Sequence, residues 1–168
     1  INMVADNLPE DIDLICAKEH LDYFDVQTME ISNELSAMDF YILMTQHQPK
    51  WIGYSFSVRD FFCRLFGIKT IQGFSEGGID REAHKAHFFQ ILEEKQDKLT
   101  LAVKDKHLDV CICIKLVPFN EQKNRVYVIA SVKEHNMLGK IYMMPVSKFH
   151  PVVVKSMFKN IDEYELGK

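Results

Sequence analysis

The chain has 168 residues, of which 47% are hydrophobic and 26% are charged. This composition is typical of one globular domain, and the low content of glycine and proline excludes collagen-like and disordered classes. The formal net charge of −4 argues against a nucleic-acid-binding protein, which usually presents a basic surface. We therefore expect no nucleic acid among the partners.

The first 17 residues are polar and acidic, with Asp11 and Asp13 shortly after Pro9. We predict an N-terminal arm over 1–17, one domain over 18–162 and a C-terminal tail over 163–168. The first residues lack the basic and apolar order of a signal peptide. No apolar run reaches the ~18 residues of a membrane span. We therefore expect no membrane span and a cytoplasmic location.

One strand and two helices are predicted in the first part of the domain. Alternation over residues 21–31 predicts a strand. Ser36 and Asp39 have the spacing of a capping box, and the helix that they begin ends before Pro49. A second helix is predicted over residues 50–66, ending at Gly67.

The second predicted helix is unusually aromatic. Its aromatic residues are Trp51, Tyr54, Phe56, Phe61, Phe62 and Phe66. Packing against a sheet is the ordinary interpretation. The alternative is a lid over a cavity or a docking surface, because one face of a single helix cannot turn all six rings toward the core. Trp51 is therefore a candidate ligand-binding residue.

An antiparallel sheet is predicted from residue 68 onwards. A short extended segment covers 68–74, glycines predict a loop over 75–84, and strands are predicted over 88–95, 98–105, 107–119 and 125–135. The short links between these strands favour hairpins. Cys111 and Cys113 alternate to the same side of their strand, so we expect reduced thiols rather than a disulfide between them.

The last element is a long amphipathic helix. Apolar residues from Leu138 to Val153 recur on one arc, and lysines occupy another. Pro145 and Pro151 each remove a backbone donor. We expect a bent helix, or two helices that meet near Pro145.

This order of elements predicts an α+β domain. A curved antiparallel sheet of about six strands would wrap around the long C-terminal helix, with two helices after the first strand. This is the helix-grip arrangement of START-like (SRPBCC-type) proteins. The gap between helix and sheet in such folds is a usual place for an apolar ligand.

Several segments also resemble a bacterial domain-of-unknown-function family. The most specific are HNMLGKIY at residues 135–142 and FHPVVV at 149–154, and weaker likeness is seen at residues 106–110 and 51–67. The resemblance covers roughly residues 18–161. A proline often precedes the Phe-His pair in that family, whereas Lys148 precedes it here.

The resemblance implies a small START-like domain without an established reaction. Some members are fused behind an NAD(P)-binding domain of the short-chain-dehydrogenase or epimerase type. The resemblance therefore implies a protein of that type as a partner of this chain.

The candidate site residues cluster around the last helix. Asn136 has the position of a helix cap, and Gly139 would allow close packing in the first turn. The candidates for ligand contact are His135, Asn136, Tyr142, Phe149, His150 and Trp51. The alternative interpretation of His135 and Asn136 is a structural corner.

Other histidines have ordinary interpretations. His107 and Asp109 are two residues apart in a strand pattern, which favours a cross-strand salt bridge over catalysis. His84 and His87 lack an evident third metal ligand, so a solvated loop is the simpler interpretation. Motifs for dinucleotides, phosphate loops, serine hydrolases and zinc proteases are missing, and we expect neither cofactor nor metal.

Three functions are compatible with these patterns. The first is binding of a small apolar or amphipathic molecule between sheet and helix. The second is a cavity enzyme of the cyclase or hydratase type that uses His135, Tyr142 and His150. The third is an interaction module for a short-chain-dehydrogenase-like partner.

Overall fold

The computed structural model describes residues 8–46, 64, 79–87 and 89–167. These residues form an α+β fold with seven strands and two helices. The strands are β1 (Tyr23–Ser32), β2 (Ile79–Asp80), β3 (Lys85–Ala86), β4 (Phe89–Glu94), β5 (Lys98–Lys104), β6 (Leu108–Pro118) and β7 (Lys123–Glu134). The helices are α1 (Ala37–Gln46) and α2 (Met137–Leu166), and a 3-10 turn covers Lys18–His20.

The strands pair antiparallel throughout, in the spatial order β1-β7-β6-β5-β4-β3-β2. Hairpins join β4 to β5, β5 to β6 and β6 to β7, as the short links predicted. The first strand returns to pair with the last, which places the N-terminal strand beside the strand that leads into α2. The curved sheet therefore brings β1 directly under the C-terminal helix.

The inner face of the sheet packs against both helices. Its apolar positions alternate along each strand, as in Leu99 and Leu101 of β5 or Ile114 and Leu116 of β6. The α1 helix contributes Phe40, which is fully buried and meets Phe158 of α2 edge to face. Burial of one face of each element against the others holds this two-layer arrangement together.

The predicted capping box at the start of α1 is confirmed. The Ser36 hydroxyl accepts from the Asp39 backbone N–H at 3.0 Å, and the Asp39 carboxylate accepts from the Ser36 backbone N–H at 3.0 Å. Two backbone donors that the helix leaves free are thereby satisfied within the motif.

One expectation is corrected, and one pair of alternatives is decided. The sheet has seven strands in the described part of the chain, because β2 and β3, of two residues each, lie in and beside the segment predicted as a loop. Of the two alternatives for the C-terminal element, the structure has a single helix of 30 residues, with Pro145 and Pro151 inside it. Tertiary packing along the sheet offsets the cost of the two prolines. The predicted second helix and the extended segment over 68–74 lie outside the described residues, apart from Arg64.

No helix in the described ranges is both long enough and apolar enough to cross a membrane.

Candidate functional site

A polar cluster lies on the inner face of the sheet, under α2. Asp25 of β1 is 8% exposed, and its Oδ2 lies 3.5 Å from Nδ1 of His150 on α2. The Tyr23 hydroxyl is 3.4 Å from the same nitrogen, and the Tyr23 ring meets the His150 ring edge to face. Gln27 donates to both Asp25 oxygens at 3.2 Å. The cluster Tyr23–Asp25–Gln27–His150 is called the inner polar cluster below.

The electrostatics of the inner polar cluster keep Asp25 ionised. Burial raises the pKa of Asp25, but the hydrogen bonds from His150 and Gln27 outweigh it and hold the pKa below its ordinary value. Burial, followed by the nearby Asp25 carboxylate, raises the pKa of Tyr23. The cluster therefore holds a carboxylate beside a neutral phenol at neutral pH.

A neighbouring carboxylate orients an imidazole. With Nδ1 of His150 turned toward Asp25, the proton is favoured on that nitrogen and the lone pair on Nε2. No described residue hydrogen-bonds to Nε2 of His150, and the side chain is 24% exposed. His150 therefore offers one free polar atom at the edge of the cluster.

The inner polar cluster lies where the apolar core divides in two. The larger group of buried residues packs around α1 and the second half of α2. The smaller group consists of Leu108, Val132 and Met143, with partly buried neighbours that include Tyr23 and Tyr142. Val110 contacts both groups.

The strand register places the cluster at this division. Asp25 pairs with Ala130 of β7, and Ala130 pairs with Ile112 of β6. Ile112 and Val110 belong to a central strand, yet both stay partly exposed on the inner face, whereas Ile114 is fully buried. Along this row of the sheet, the small Ala130 therefore separates the Asp25 carboxylate from the partly exposed Ile112.

Strand alternation explains why β1 supplies the polar groups. The core-facing side of β1 begins with Tyr23, Asp25 and Gln27. It continues with Met29 and the fully buried Ile31. Asp25 was not among the site residues predicted from the sequence. Three polar side chains on the core-facing register of a strand were the signal that could have found it.

The predicted corner before α2 is confirmed as a cap. The Asn136 side-chain oxygen accepts from the Gly139 backbone N–H at 3.1 Å, and its amide nitrogen donates to the Lys106 carbonyl at 3.2 Å. The same nitrogen lies 3.0 Å from Nδ1 of His107. A Cβ on Gly139 would overlap the His107 carbonyl oxygen, so only glycine fits there.

The Asp109 carboxylate pairs with His135 and not with His107, which is the nearer histidine in the sequence. Nε2 of His135 lies 3.1 Å from Asp109 Oδ2, which joins the end of β7 to β6. His107 precedes β6, so it does not follow the alternation that the sequence predicted for His107 and Asp109. Alternation places Asp109 on the outer face, opposite the inner polar cluster.

The remaining candidate residues are scattered. Tyr142 is partly buried beside the smaller core group, whereas Phe149 is 59% exposed on α2. Trp51 and the other aromatic residues of the predicted second helix lie outside the described residues. His135 and His150 contact carboxylates on opposite faces of the sheet, so they do not converge.

The two histidines of the HKAH segment have separate environments. His84 is exposed in a turn with a positive φ of 52°. The buried Tyr41 hydroxyl and Nδ1 of His87 share a 2.8 Å hydrogen bond, and burial lowers the pKa of His87 and raises that of Tyr41. No group of three potential metal ligands occurs among the residues that the structure describes.

The N-terminal arm covers the outer face of the sheet. Lys98 is 2% exposed, and its ammonium lies within 3.0 Å of Asp11, Asp13 and Glu93. The Thr100 hydroxyl donates to the Asp13 carboxylate at 2.6 Å. The buried ammonium thereby ties the arm to β4 and β5.

Backbone groups of the arm also bond to the sheet. The Ile15 N–H donates to the Ser131 hydroxyl at 3.0 Å, and the Asp13 N–H donates to the Cys113 sulfur at 3.5 Å. Cys111 and Cys113 are free thiols on this face, and burial raises the pKa of Cys111 to about 12. These thiols are therefore protonated and poorly reactive at neutral pH.

An open groove of about 440 Å³ runs between the arm and strands β4 to β6. Leu14, Leu92, Thr100, Lys104 and Cys111 are among the residues that line it. It lies on the outer face, away from the inner polar cluster. Any binding experiment must therefore distinguish the two places.

Acid is expected to release the arm. The hydrogen bond from Lys98 lowers the pKa of Asp11, and the hydrogen bonds from Lys95 and Lys98 lower that of Glu93. A carboxyl group whose pKa is lower in the folded state stabilises the fold at pH values above its ordinary pKa of about 4. That stabilisation is lost as the pH falls through the lowered pKa. Amide exchange at Ile15 should therefore accelerate between about pH 5 and pH 3, after correction for intrinsic rates. Unchanged protection of Ile15 at pH 3 would contradict this.

The geometry defines a class of protein: an α+β domain with a curved antiparallel sheet under a long C-terminal helix and a buried carboxylate–histidine pair between them. The family model described as "Protein of unknown function (DUF2867)" matches residues 17–157 of the chain. This chain therefore belongs to the DUF2867 family. Neither a curated protein nor a solved structure matches it.

Proposed function

We propose that this protein is a helix-grip (START-like) domain that binds a small amphipathic molecule between its sheet and α2. The observation that carries the proposal is the inner polar cluster at the division of the core. A buried ionised carboxylate is costly unless it is hydrogen-bonded, and Asp25 lies with its polar partners beside the apolar positions Ala130 and Ile112. An apolar pocket with a few convergent polar groups is a usual small-molecule site.

The chemistry of the cluster specifies the ligand class. Asp25 accepts hydrogen bonds, and the free Nε2 of His150 also accepts in the tautomer that Asp25 favours. The ligand is therefore a largely apolar molecule with one hydroxyl or amine donor, such as a small phenol or aliphatic alcohol. An anionic ligand is disfavoured because Asp25 stays charged.

The test is a titration of the full chain with Nile red, a neutral apolar dye, followed by displacement with small phenols and with the matching carboxylic acids. Ile112→Phe enlarges a partly exposed side chain on the inner face, separated from Asp25 by Ala130, and we expect it to weaken dye binding about tenfold or more. We expect phenols to displace the dye from the unaltered protein better than the acids do, and His150→Phe to reduce that preference.

The control variant is Leu92→Phe, which enlarges a side chain of the outer groove instead. It should leave Nile red binding unchanged if the dye occupies the inner site. Weaker binding in Leu92→Phe with unaltered binding in Ile112→Phe would refute the proposal. So would the absence of dye binding to the unaltered protein.

A second candidate function is proton transfer, favoured by the Asp25–His150 pair. An imidazole oriented by a carboxylate is the usual form of a general base. His150 Nε2 would take an α-proton from a small ketone, leaving an enolate that regains a hydron from solvent. Deuterium uptake by cyclohexanone in D₂O, followed by NMR, should be faster with the protein than with His150→Gln. Equal rates would remove this candidate.

A further inference from the structure

The outward face of α2 combines exposed apolar side chains with unpaired lysines. The large apolar residues exposed along the first half of the helix are Met137, Ile141, Met144, Phe149 and Val152. All five are between 43% and 68% exposed. At 100° per residue they fall on one side of the helix, away from the buried Met143, Val154 and Met157.

Lysines share this outward face. They are Lys148, Lys155 and Lys159, all exposed. None has a carboxylate within 4 Å in the described ranges. Lys140 falls at the helical angle of the buried Phe158 and is not counted on this face. It lies near Asp22, whose pKa is lowered first by the hydrogen bond from the Glu134 backbone N–H and then by Lys133, its partner at 3.0 Å.

Charge is segregated along the chain. No aspartate or glutamate occurs between His135 and Ile161, although the chain as a whole carries a net charge of −4. The acidic residues of α2 begin only at Asp162. The outward face of the first six turns therefore carries three lysines in a protein that is otherwise acidic.

We infer that this face, called the basic apolar face, binds the surface of an anionic lipid bilayer. A helix with basic residues and exposed apolar side chains is suited to lie in the plane of a membrane interface. Lysine stems can lie along apolar side chains while the ammonium groups reach the headgroups. The helix is about 45 Å long, which allows several headgroups to be contacted at once.

Charge decides between this partner and a second copy of the chain. Two basic apolar faces packed together would bring six lysines into one interface without a facing carboxylate from the same helix segment. Like charges in such an interface oppose association. An anionic lipid surface attracts the same lysines, and its effect falls as salt rises.

The test is sedimentation of the full chain with vesicles at 0.1 M salt. Vesicles of phosphatidylcholine alone are compared with vesicles that contain 30% phosphatidylserine. We expect at least tenfold stronger binding to the anionic vesicles. Two double variants should each weaken that binding at least tenfold. One combines Met144→Ser with Phe149→Ser, and the other combines Lys148→Glu with Lys155→Glu.

Matched controls carry the same changes elsewhere on the surface. Leu92→Ser with Leu166→Ser removes exposed apolar side chains, and Lys104→Glu with Lys123→Glu reverses exposed charges. Both controls should bind as the unaltered chain does. All altered positions are exposed, and unfolding midpoints confirm that each variant folds.

Three outcomes would overturn the inference. They are an absence of binding to the anionic vesicles, equal binding by the charge-reversed variant, and equal binding to neutral vesicles. Concentration-dependent dimerisation that the Met144→Ser, Phe149→Ser variant abolishes, without vesicle binding, would assign the face to a second copy instead.

Discussion

Gly139→Ala is expected to lower the free energy of unfolding by about 2–3 kcal/mol, which is the usual range for forcing an extra methyl group into a closely packed place. The new Cβ would overlap the His107 carbonyl oxygen, and that oxygen also accepts from the His135 backbone N–H at 2.9 Å. Backbone on both sides of the corner must therefore move. For a domain of this size we expect the midpoint of thermal unfolding to fall by roughly 5–10 °C.

The direction of the change in the free energy of unfolding shows whether Gly139 is needed for the close contact with His107. A glycine inside a helix is ordinarily improved by alanine, by about 1 kcal/mol. Gly167→Ala is the matched control, because its added Cβ would meet no atom closer than 3.5 Å. Urea unfolding of both variants measures the difference. If Gly139→Ala were as stable as the unaltered protein, the close contact between α2 and the His107 turn would be wrong.

Lys98→Met is expected to release the N-terminal arm and to lower the free energy of unfolding by about 1–3 kcal/mol. The substitution removes charge-assisted hydrogen bonds to Asp11, Asp13 and Glu93, and such bonds contribute about 1.5–3 kcal/mol. The three carboxylates are 31–60% exposed and can regain water. The loss is therefore smaller than the ~3–5 kcal/mol that follows when a charge stays buried without its partner.

Hydrogen exchange separates release of the arm from a general loss of stability. The Ile15 amide should exchange at least tenfold faster in Lys98→Met, whereas amides of the central strands should change only with global stability. Lys104→Met is the control, since Lys104 is exposed on the same strand and forms no ion pair within the described residues. Unchanged protection of Ile15 in Lys98→Met would show that the arm is held by other contacts.

Local patterns predicted most of the described elements. The capping box at Ser36 and Asp39 and the cap at Asn136 were predicted because each depends on residues a few positions apart. Close packing at Gly139 was also predicted, but its contact, the distant His107 carbonyl, was not. The strands beyond residue 88 were predicted from alternation and the short links between them. The two-residue strands β2 and β3 were missed because two residues are too few to show a period.

The site was predicted only in part. His150 was named as a ligand candidate, and the structure places it in the inner polar cluster, but its partner Asp25 was missed. The two residues are 125 positions apart, and their contact requires both the pairing of β1 with β7 and the path of α2 across that pair. The pairing of Asp109 with His135 instead of His107 likewise depended on where β6 begins.

The amino-acid sequence alone determined most of the described elements and their caps, since these follow from backbone preferences and interactions within about one turn. The predicted core-facing arc of α2 was wrong: Phe149 and Val152 are exposed, and the helix buries Met143, Val154 and Met157 instead. Tertiary structure decided which charged groups meet: Asp25 with His150, and Lys98 with the carboxylates of the arm. Strand register and helix placement set those distances, and a shift of one residue in register would turn each side chain to the other face. The charge pattern of α2 was visible in the sequence, but only the packed structure showed that its apolar residues remain exposed beside the lysines.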